Sequence, residues 1–180
     1  MLYESDPRGY AGMPENITVK AEDPRSKDAS ALMKELSDCL QAMTGSSGRH
    51  SIRVEDFLQA RSLFAVARDL SGNAVGCGGF RPLDAHAAEL KRMYARAQSS
   101  GVGSKILAYL EAGAARMGYA VLRLETRRSN KKAVAFYRRN GYLEIPNYGI
   151  YENRSEAACF EKYLSRHGGE KAAVRTAGHR

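Results

Sequence analysis

The sequence has few cysteines and no long apolar run. Three of its 180 residues are cysteine (Cys39, Cys77 and Cys159), an odd number with no CxxC pair. This pattern argues against a disulfide framework or a zinc site and favours buried free thiols in a reducing compartment. No apolar run approaches the ~20 residues of a membrane span, and the N-terminus lacks the basic start and apolar segment of a secretory signal. We therefore expect a cytoplasmic protein with neither a membrane partner nor a metal.

The composition is that of one ordinary domain with a strong positive charge. Hydrophobic residues make up 43% of the chain, charged residues 27%, and the formal net charge is +8. A basic balance raises the prospect of an anionic partner, which could be nucleic acid, an acidic substrate or a phosphorylated cofactor. No internal repeat or second domain is evident. We expect one domain over 17–164, a flexible N-terminal arm over 1–16 and a flexible basic tail over 165–180.

Apolar periodicity and turn residues predict the element order β-α-α-β-β-β-α-β-α-β-β. Strands are predicted at 17–23, 63–70, 74–83, 87–96 and 120–126, and the last strands or strand ends in YLEIP, YGIYE and AACFEKYL. The first helix is predicted to follow an Asp28 cap, with an apolar stripe of Ala31, Leu32, Leu36 and Leu40. Further helices are predicted at 54–60, at 101–117 and at 130–140, the last of them ended by Gly141. The order predicts an α+β fold in which helices flank one mixed sheet.

The stretch QSSGVG at 98–103 places two glycines at the start of a predicted helix. A glycine turn that leads into a helix N-terminus can hold phosphate. The nucleotide loop GxxxxGK[ST] does not fit, because Ser104 precedes Lys105 and no glycine stands at the required distance before Gly101. The dinucleotide pattern GxGxxG fails as well, because Ile106 occupies its third glycine position. A third pattern, [Q/R]xxGx[G/A], matches Gln98, Gly101 and Gly103.

This third pattern is the pyrophosphate turn of the GNAT superfamily of N-acetyltransferases, which the chain resembles over about 17–164. Downstream, NKKAVAFYRRNGY at 130–142 is similar to the second GNAT signature, NxxAxx[FL]Yxxx[GF][FY]. The positions in register are Asn130, Ala133, Phe136, Tyr137, Gly141 and Tyr142. The chain departs from the family where the proline of V-x-P-x-x-R is missing and Gln98 replaces the commoner arginine. Backbone donors are therefore expected to supply most of the pyrophosphate binding.

The resemblance implies acetyl-CoA as cosubstrate, bound between the strand before the glycine turn and the following helices. The implied cofactor-binding residues are Met93, Tyr94, Ala95, Gln98, Ser99, Ser100, Gly101, Val102, Gly103, Ser104, Asn130, Ala133, Phe136 and Tyr137. The backbone of Met93 and Ala95 is expected to pair with the pantetheine amides as an added strand would. The Met93 N–H is the expected oxyanion donor.

Acetyl transfer to an amine needs a base for the amine and an acid for the leaving thiolate. Glu89 is the predicted base, because some members of the superfamily carry a glutamate at that offset. Strand alternation is expected to place it on one face with Lys91, Met93 and Ala95. A solvent-exposed charge paired with Lys91 or Arg92 is the alternative for Glu89. Tyr137 is the predicted acid, and a core aromatic is the alternative.

The acceptor is expected to be a primary amine of a small molecule: an amino acid, an amine or an amine-bearing antibiotic. The predicted substrate-binding residues are Arg81, Tyr148 and Tyr151, for which surface or packing roles are the alternative. A protein or peptide acceptor on the same fold and a basic nucleic-acid-binding module are the competing functions. The second is the weaker, since the sequence has no zinc-finger spacing, basic recognition helix or RNA-binding aromatic motif. We expect no nucleic-acid partner and a monomer or homodimer.

Overall fold

A computed structural model describes residues 16–45, 47–48, 52–97 and 101–165. Within them, seven strands form one sheet in the order β1-β2-β3-β4-β5-β7-β6. The strands are β1 (Thr18–Ala21), β2 (Leu63–Arg68), β3 (Ala74–Pro82), β4 (Ala87–Ala95), β5 (Val121–Arg127), β6 (Leu143–Ile145) and β7 (Ala157–Tyr163). The helices are α1 (Lys27–Thr44), α2 (Val102–Arg116) and α3 (Lys131–Arg139), with short 3-10 helices at Val54–Leu58 and Gly149–Tyr151. Only β4 and β5 pair in parallel, and the predicted α+β class with a mixed sheet is confirmed.

The sheet has a helix layer on each face. Along β2, Phe64 and Val66 pack into the cluster under α1, whereas Ala65 and Ala67 pack into the cluster that contains the buried face of α2. Strand side chains alternate between faces, so α1 covers one face and α2 the other. Tyr137 of α3 belongs to the α2 cluster. We call the two sides of the sheet the α1 face and the α2 face.

Helix α1 differs from the prediction at its start and on its buried side. Its cap is Ser26, whose side chain accepts a hydrogen bond from the Ala29 N–H at 3.1 Å, because the helix begins at Lys27. Asp28 instead accepts a hydrogen bond from Arg68 at 2.6 Å. The residues of α1 that the core buries are Ala29, Leu32, Met33 and Ser37. Of the predicted stripe only Leu32 is buried, since helical spacing from Ala29 directs Ala31 to solvent.

Two further segments differ from the sequence expectations, and the first is the helix predicted at 54–60, which is a short 3-10 helix over Val54–Leu58. The segment YGIYE forms a 3-10 turn over Gly149–Tyr151 rather than a strand or a strand end. Gly141 follows α3 with φ of +83°, as expected of the glycine that ends a helix. The predicted arm and tail lie outside the described residues apart from Asn16 and Ser165.

A β-bulge in β4 overturns the expectation that Glu89, Lys91, Met93 and Ala95 share one face. Gly79 pairs with Lys91 but Cys77 pairs with Tyr94, so two residues of β4 stand opposite Gly78. Arg92, at the bulge, has φ of +58°.

The bulge reverses the alternation of side chains along β4. Leu90 before the bulge and Met93 and Ala95 after it pack against the α2 cluster, so Glu89 and Lys91 point to the α1 face. Arg92 also reaches the α1 face, where it donates hydrogen bonds to the Met33 carbonyl and to the Ser37 hydroxyl. These bonds tie the bulge to α1.

Candidate active site

A cleft opens where β4 and β5 part. The two strands are paired only from Ala87↔Val121 to Glu89↔Arg123, although β4 continues to Ala95 and β5 to Arg127. The cleft beyond the last pair is lined by residues 90–93 and 125–127 of the two strands. Its other lining residues are Leu36, Leu40, Thr44, Gly48, Ile52, Asn130, Ala133, Tyr137, Ile150, Tyr151, Arg154 and Glu156. The cleft therefore passes between the strands and is reached from both faces of the sheet.

Beyond Glu89, β4 pairs with no strand of the described residues along its β5-side edge. An unpaired strand edge offers backbone N–H and C=O groups to an extended ligand. Met93 lines the cleft at this edge. The edge suits the predicted pairing of Met93 and Ala95 with pantetheine, which stays a prediction. Tyr94 contributes only its backbone there, because its hydroxyl points to Glu35 of α1 at 3.3 Å.

The glycine turn lies at the start of α2, next to this edge. Gln98, Ser99 and Ser100 fall outside the described residues. Gly101 caps α2 with φ of +77°, a left-handed conformation that favours glycine. A Cβ on Gly103 would come within 3.2 Å of the Phe136 ring, so the absence of a side chain lets α3 approach the first turn of α2. Val102 is buried beneath this turn, and Ser104 is exposed.

Helix α3 supplies the wall of the cleft on the α2 face. The Asn130 side chain caps the helix by accepting a hydrogen bond from the Ala133 N–H at 3.2 Å. Asn130, Ala133 and Tyr137 line the cleft, whereas Phe136 packs against Gly103. The second sequence signature thus places its residues beside the glycine turn.

Tyr137 combines a packed ring with a hydroxyl at the cleft. The ring lies edge-on to Phe136 and to Tyr142, with centroids 5.1 and 5.7 Å away, and the residue is 7% exposed. Burial, with a smaller contribution from the negative charge of Glu125, raises the pKa of the phenol above its usual range. No described side chain hydrogen-bonds the hydroxyl. Tyr137 therefore carries its proton at neutral pH and can donate it into the cleft.

Glu89 does not line the cleft. It is 1% exposed and accepts hydrogen bonds from Arg81 at 3.1 Å and from the Tyr148 hydroxyl at 3.0 Å. The Lys91 ammonium lies 3.2 Å from the same carboxylate. These three partners occupy the carboxylate. The role of Glu89 as base stays a prediction. As a base, Glu89 would have to act through Arg81, Lys91 or Tyr148, because these partners enclose its carboxylate.

Glu125 is the cleft carboxylate that sequence reasoning missed. It lies on β5 two residues past the last β4–β5 pair and lines the cleft. Among the described residues none donates a side-chain hydrogen bond to its carboxylate. Burial raises the pKa of the Glu125 carboxyl, against the opposing effect of the positive charges of Lys91, Arg127 and Arg154. A raised pKa in a cleft suits a general base that works near neutral pH.

The predicted acceptor-side residues divide between two places. Tyr151 lines the cleft, and its hydroxyl accepts a hydrogen bond from Lys91. Arg81 and Tyr148 lie behind it, both bonded to Glu89, and Arg81 also pairs with Asp56 at 3.3 Å. The rings of Tyr148 and Tyr151 meet edge-on with centroids 5.7 Å apart. Arg81 and Tyr148 thus support the cleft wall from behind, while Tyr151 faces the cleft.

The part of the chain that the structure describes shows neither a metal-binding cluster nor a membrane-spanning helix. No group of three or more His, Cys, Asp or Glu side chains there is arranged to hold a metal ion. None of the helices described is both long and apolar enough to pass through a bilayer.

Comparisons with known proteins agree with this architecture. The family model described as "Acetyltransferase (GNAT) family" matches residues 29–142. The "IAA acetyltransferase" of Azospirillum brasilense is 28% identical over 152 residues, which cover 83% of this chain and 99% of that protein.

Solved structures show the same fold. A structure from Klebsiella pneumoniae subsp. pneumoniae, whose name places it among the acyl-CoA N-acyltransferases, has 30% identity and a TM-score of 0.70. It covers 83% of this chain and 99% of its own. An acetyltransferase of the GNAT family from Staphylococcus aureus is 18% identical with a TM-score of 0.67 and the same coverage. From the family match and the shared fold it follows that this chain belongs to the GNAT family of acetyltransferases and is an acetyl-transferring enzyme.

Proposed function

We propose that the enzyme transfers an acetyl group from acetyl-CoA to a primary amine of a small molecule, by direct attack of the amine within a ternary complex. The observation that carries the proposal is the parting of β4 from β5. It leaves an open strand edge beside the glycine turn and places Glu125 and Tyr137 in one cleft. Bound acetyl-CoA supplies the acetyl group as a thioester.

Each half of the cleft suits one substrate. Asn130, Ala133 and Tyr137 line it on the α2 face, next to the glycine turn, where the cofactor arm is expected. On the α1 face, Leu36 and Leu40 of α1 stand with Ile150 and Tyr151 of the β6–β7 connection at the same cleft. A concave site with apolar walls and a few polar groups is typical of small-molecule binding, which favours a compact acceptor.

The roles of the side chains follow from their places. Glu125 takes the proton that the attacking amine must lose, either directly or through one water. The Met93 N–H lies on the open edge of β4 and is the donor for the oxygen on which negative charge develops. Tyr137 gives its proton to the departing sulfur from the α2 face. No cysteine is needed as a nucleophile, and Cys77 and Cys159 are buried.

Ligand-dependent thermal stability tests this proposal. Acetyl-CoA should raise the melting temperature, because a ligand at 100 times its Kd stabilises the folded state by about 2.7 kcal/mol. NAD and ATP, which carry phosphates and adenosine but no pantetheine arm, should raise it much less. In a parallel assay, free thiol should appear from acetyl-CoA only when an amine acceptor is added. The absence of a thermal shift with millimolar acetyl-CoA would contradict the proposal.

A further inference from the structure

The α1 face of the cleft carries more positive charge than its carboxylates offset. Glu125 and Glu156 are the acidic residues that line it, and Lys91, Arg92, Arg127 and Arg154 are the basic ones. Two of these cations have other partners: Lys91 lies against Glu89, and Arg92 donates to Met33 and Ser37.

Arg127 and Arg154 differ from those two cations. Neither guanidinium has a hydrogen-bond or ion-pair partner among the described residues. Both nonetheless lower the pKa of Glu125 through their positive charge. All three side chains line the same cleft. Arg127 is half-buried and Arg154 is exposed, so an anion can reach both guanidinium groups by displacing water. Arginine's planar fork binds carboxylates in a bidentate manner.

The position of Arg127 separates it from the predicted cofactor arm. On β5, Leu122 and Leu124 pack into the α2 cluster. Alternation therefore sends Glu125 and Arg127 to the opposite, α1 face, away from α2 and α3. Arg154 comes from the β6–β7 connection. Along a strand, side chains two positions apart are separated by about 7 Å. This spacing allows one residue to contact the amine and the other to contact the carboxylate of the same α-amino acid.

From this juxtaposition we infer that the acceptor is a free amino acid. This inference rests on the proposed function and specifies its substrate. Its amine points to Glu125, and its carboxylate lies between Arg127 and Arg154. Its side chain extends toward the apolar residues that line the same face, Leu36, Leu40, Ile52 and Ile150. Transfer makes an N-acetyl amino acid and free coenzyme A. The C–S bond of the thioester breaks, an amide C–N bond forms, and the amine proton leaves through Glu125 while the sulfur gains a proton.

A substrate series tests the inference. Each of the twenty common amino acids is assayed beside its amide and its decarboxylated amine, with acetyl-CoA and a free-thiol readout. At least one amino acid should exceed both analogues in kcat/KM by roughly 10- to 100-fold, the effect of a charged hydrogen bond. Basicity cannot produce this preference over the amide, since the amine of the amide loses its proton more readily.

Variants assign the preference to the two arginines. Arg127→Gln and Arg154→Gln should each reduce the preference for the carboxylate about tenfold or more, chiefly through KM, with the Kd for acetyl-CoA unchanged. Arg139→Gln, an exposed arginine of α3, is the matched control and should behave as the wild type.

The outcomes separate this inference from the proposed function. Equal use of amino acid, amide and amine overturns the inference, as does failure to acetylate any amino acid when acetyl-CoA binds. A weaker Kd for acetyl-CoA in Arg127→Gln would assign that arginine to the cofactor and also overturn it. Absence of acetyl-CoA binding by the wild type contradicts the proposed function itself.

Discussion

Replacement of Glu125 by glutamine is expected to lower kcat/KM by roughly 10²- to 10³-fold, the usual contribution of a general base. Glutamine keeps the shape of the side chain and cannot accept the proton of the amine. The Kd for acetyl-CoA should stay the same, because Glu125 faces the α1 side of the cleft. Glu156→Gln is the matched control, since this exposed carboxylate lines the same cleft. It should retain nearly full activity.

The pH dependence of kcat/KM in the wild type should also show that Glu125 acts as a base. Glu125 must be ionised to act, so kcat/KM should rise with pH through the pKa of Glu125, which burial places above its ordinary value of 4.5. This acidic limb should be lost in Glu125→Gln.

The stability of the fold should fall, whereas kcat/KM rises, as Glu125 ionises. A raised pKa in the folded state means that ionisation of Glu125 weakens the fold as pH rises from its unfolded pKa to its folded pKa. Glu125→Gln should therefore melt higher than the wild type at pH 7 and equally at pH 3.

Glu89→Gln distinguishes the two candidate bases. Its substitution leaves Arg81 and Lys91 without their shared carboxylate partner in a buried setting, and loss of one member of a buried ion pair costs about 3–5 kcal/mol. We expect a lower melting temperature with the acidic limb of the pH profile retained. If Glu89→Gln removes that limb and Glu125→Gln keeps it, the base is Glu89, acting through its hydrogen-bonded neighbours, and the assignment of Glu125 is wrong.

Replacement of Tyr137 by phenylalanine is expected to lower kcat about 10²-fold. The ring and its contacts with Phe136, Tyr142 and Phe160 remain, whereas the proton for the departing sulfur is lost. The deficit should shrink with an acyl donor whose thiol is more acidic, because a better leaving group needs the proton less. Melting temperature and acetyl-CoA affinity should stay near those of the wild type.

Tyr142→Phe is the matched control for Tyr137→Phe. Tyr142 packs on Tyr137, but its hydroxyl donates to Glu111 at 3.1 Å and does not line the cleft. Its loss should lower stability and leave kcat unchanged. A wild-type kcat in Tyr137→Phe, with a lower melting temperature and weaker acetyl-CoA binding, would mean that Tyr137 is only a packing residue.

The sequence predicted most elements of the fold, but it did not predict the cleft that forms where β4 and β5 separate. The signatures at 98–103 and 130–142 lie on short contiguous segments, so their residues were found together. The acceptor side is built from α1, β4, β5 and the β6–β7 connection. Its geometry depends on where β4 parts from β5, and strand periodicity does not state where a pair of strands separates.

Two particular residues show what was missed. Glu125 lies on the face of β5 opposite to Leu122 and Leu124, which pack into the core. The alternation predicted this orientation of Glu125, but it did not predict a cleft at that position. The bulge at Arg92 left one signal in the sequence, the glycines of GCGG on the neighbouring strand. A Cβ on Gly78 would collide with the Met93 sulfur, so glycine there accommodates the bulge. Without the bulge, strand alternation placed Glu89 with Met93, which is wrong.

Hydrogen exchange followed by mass spectrometry, with and without acetyl-CoA, tests most directly whether the parting of β4 from β5 forms the cofactor site. We expect slower exchange at two places, in peptides that cover residues 90–97 and in those over 101–107, where the first helical N–H groups of α2 lack partners within the helix. Peptides over β1 and β2 should exchange at unchanged rates. If acetyl-CoA raises the melting temperature but leaves residues 90–97 and 101–107 unprotected, the cofactor does not bind at the open edge of β4 and the start of α2.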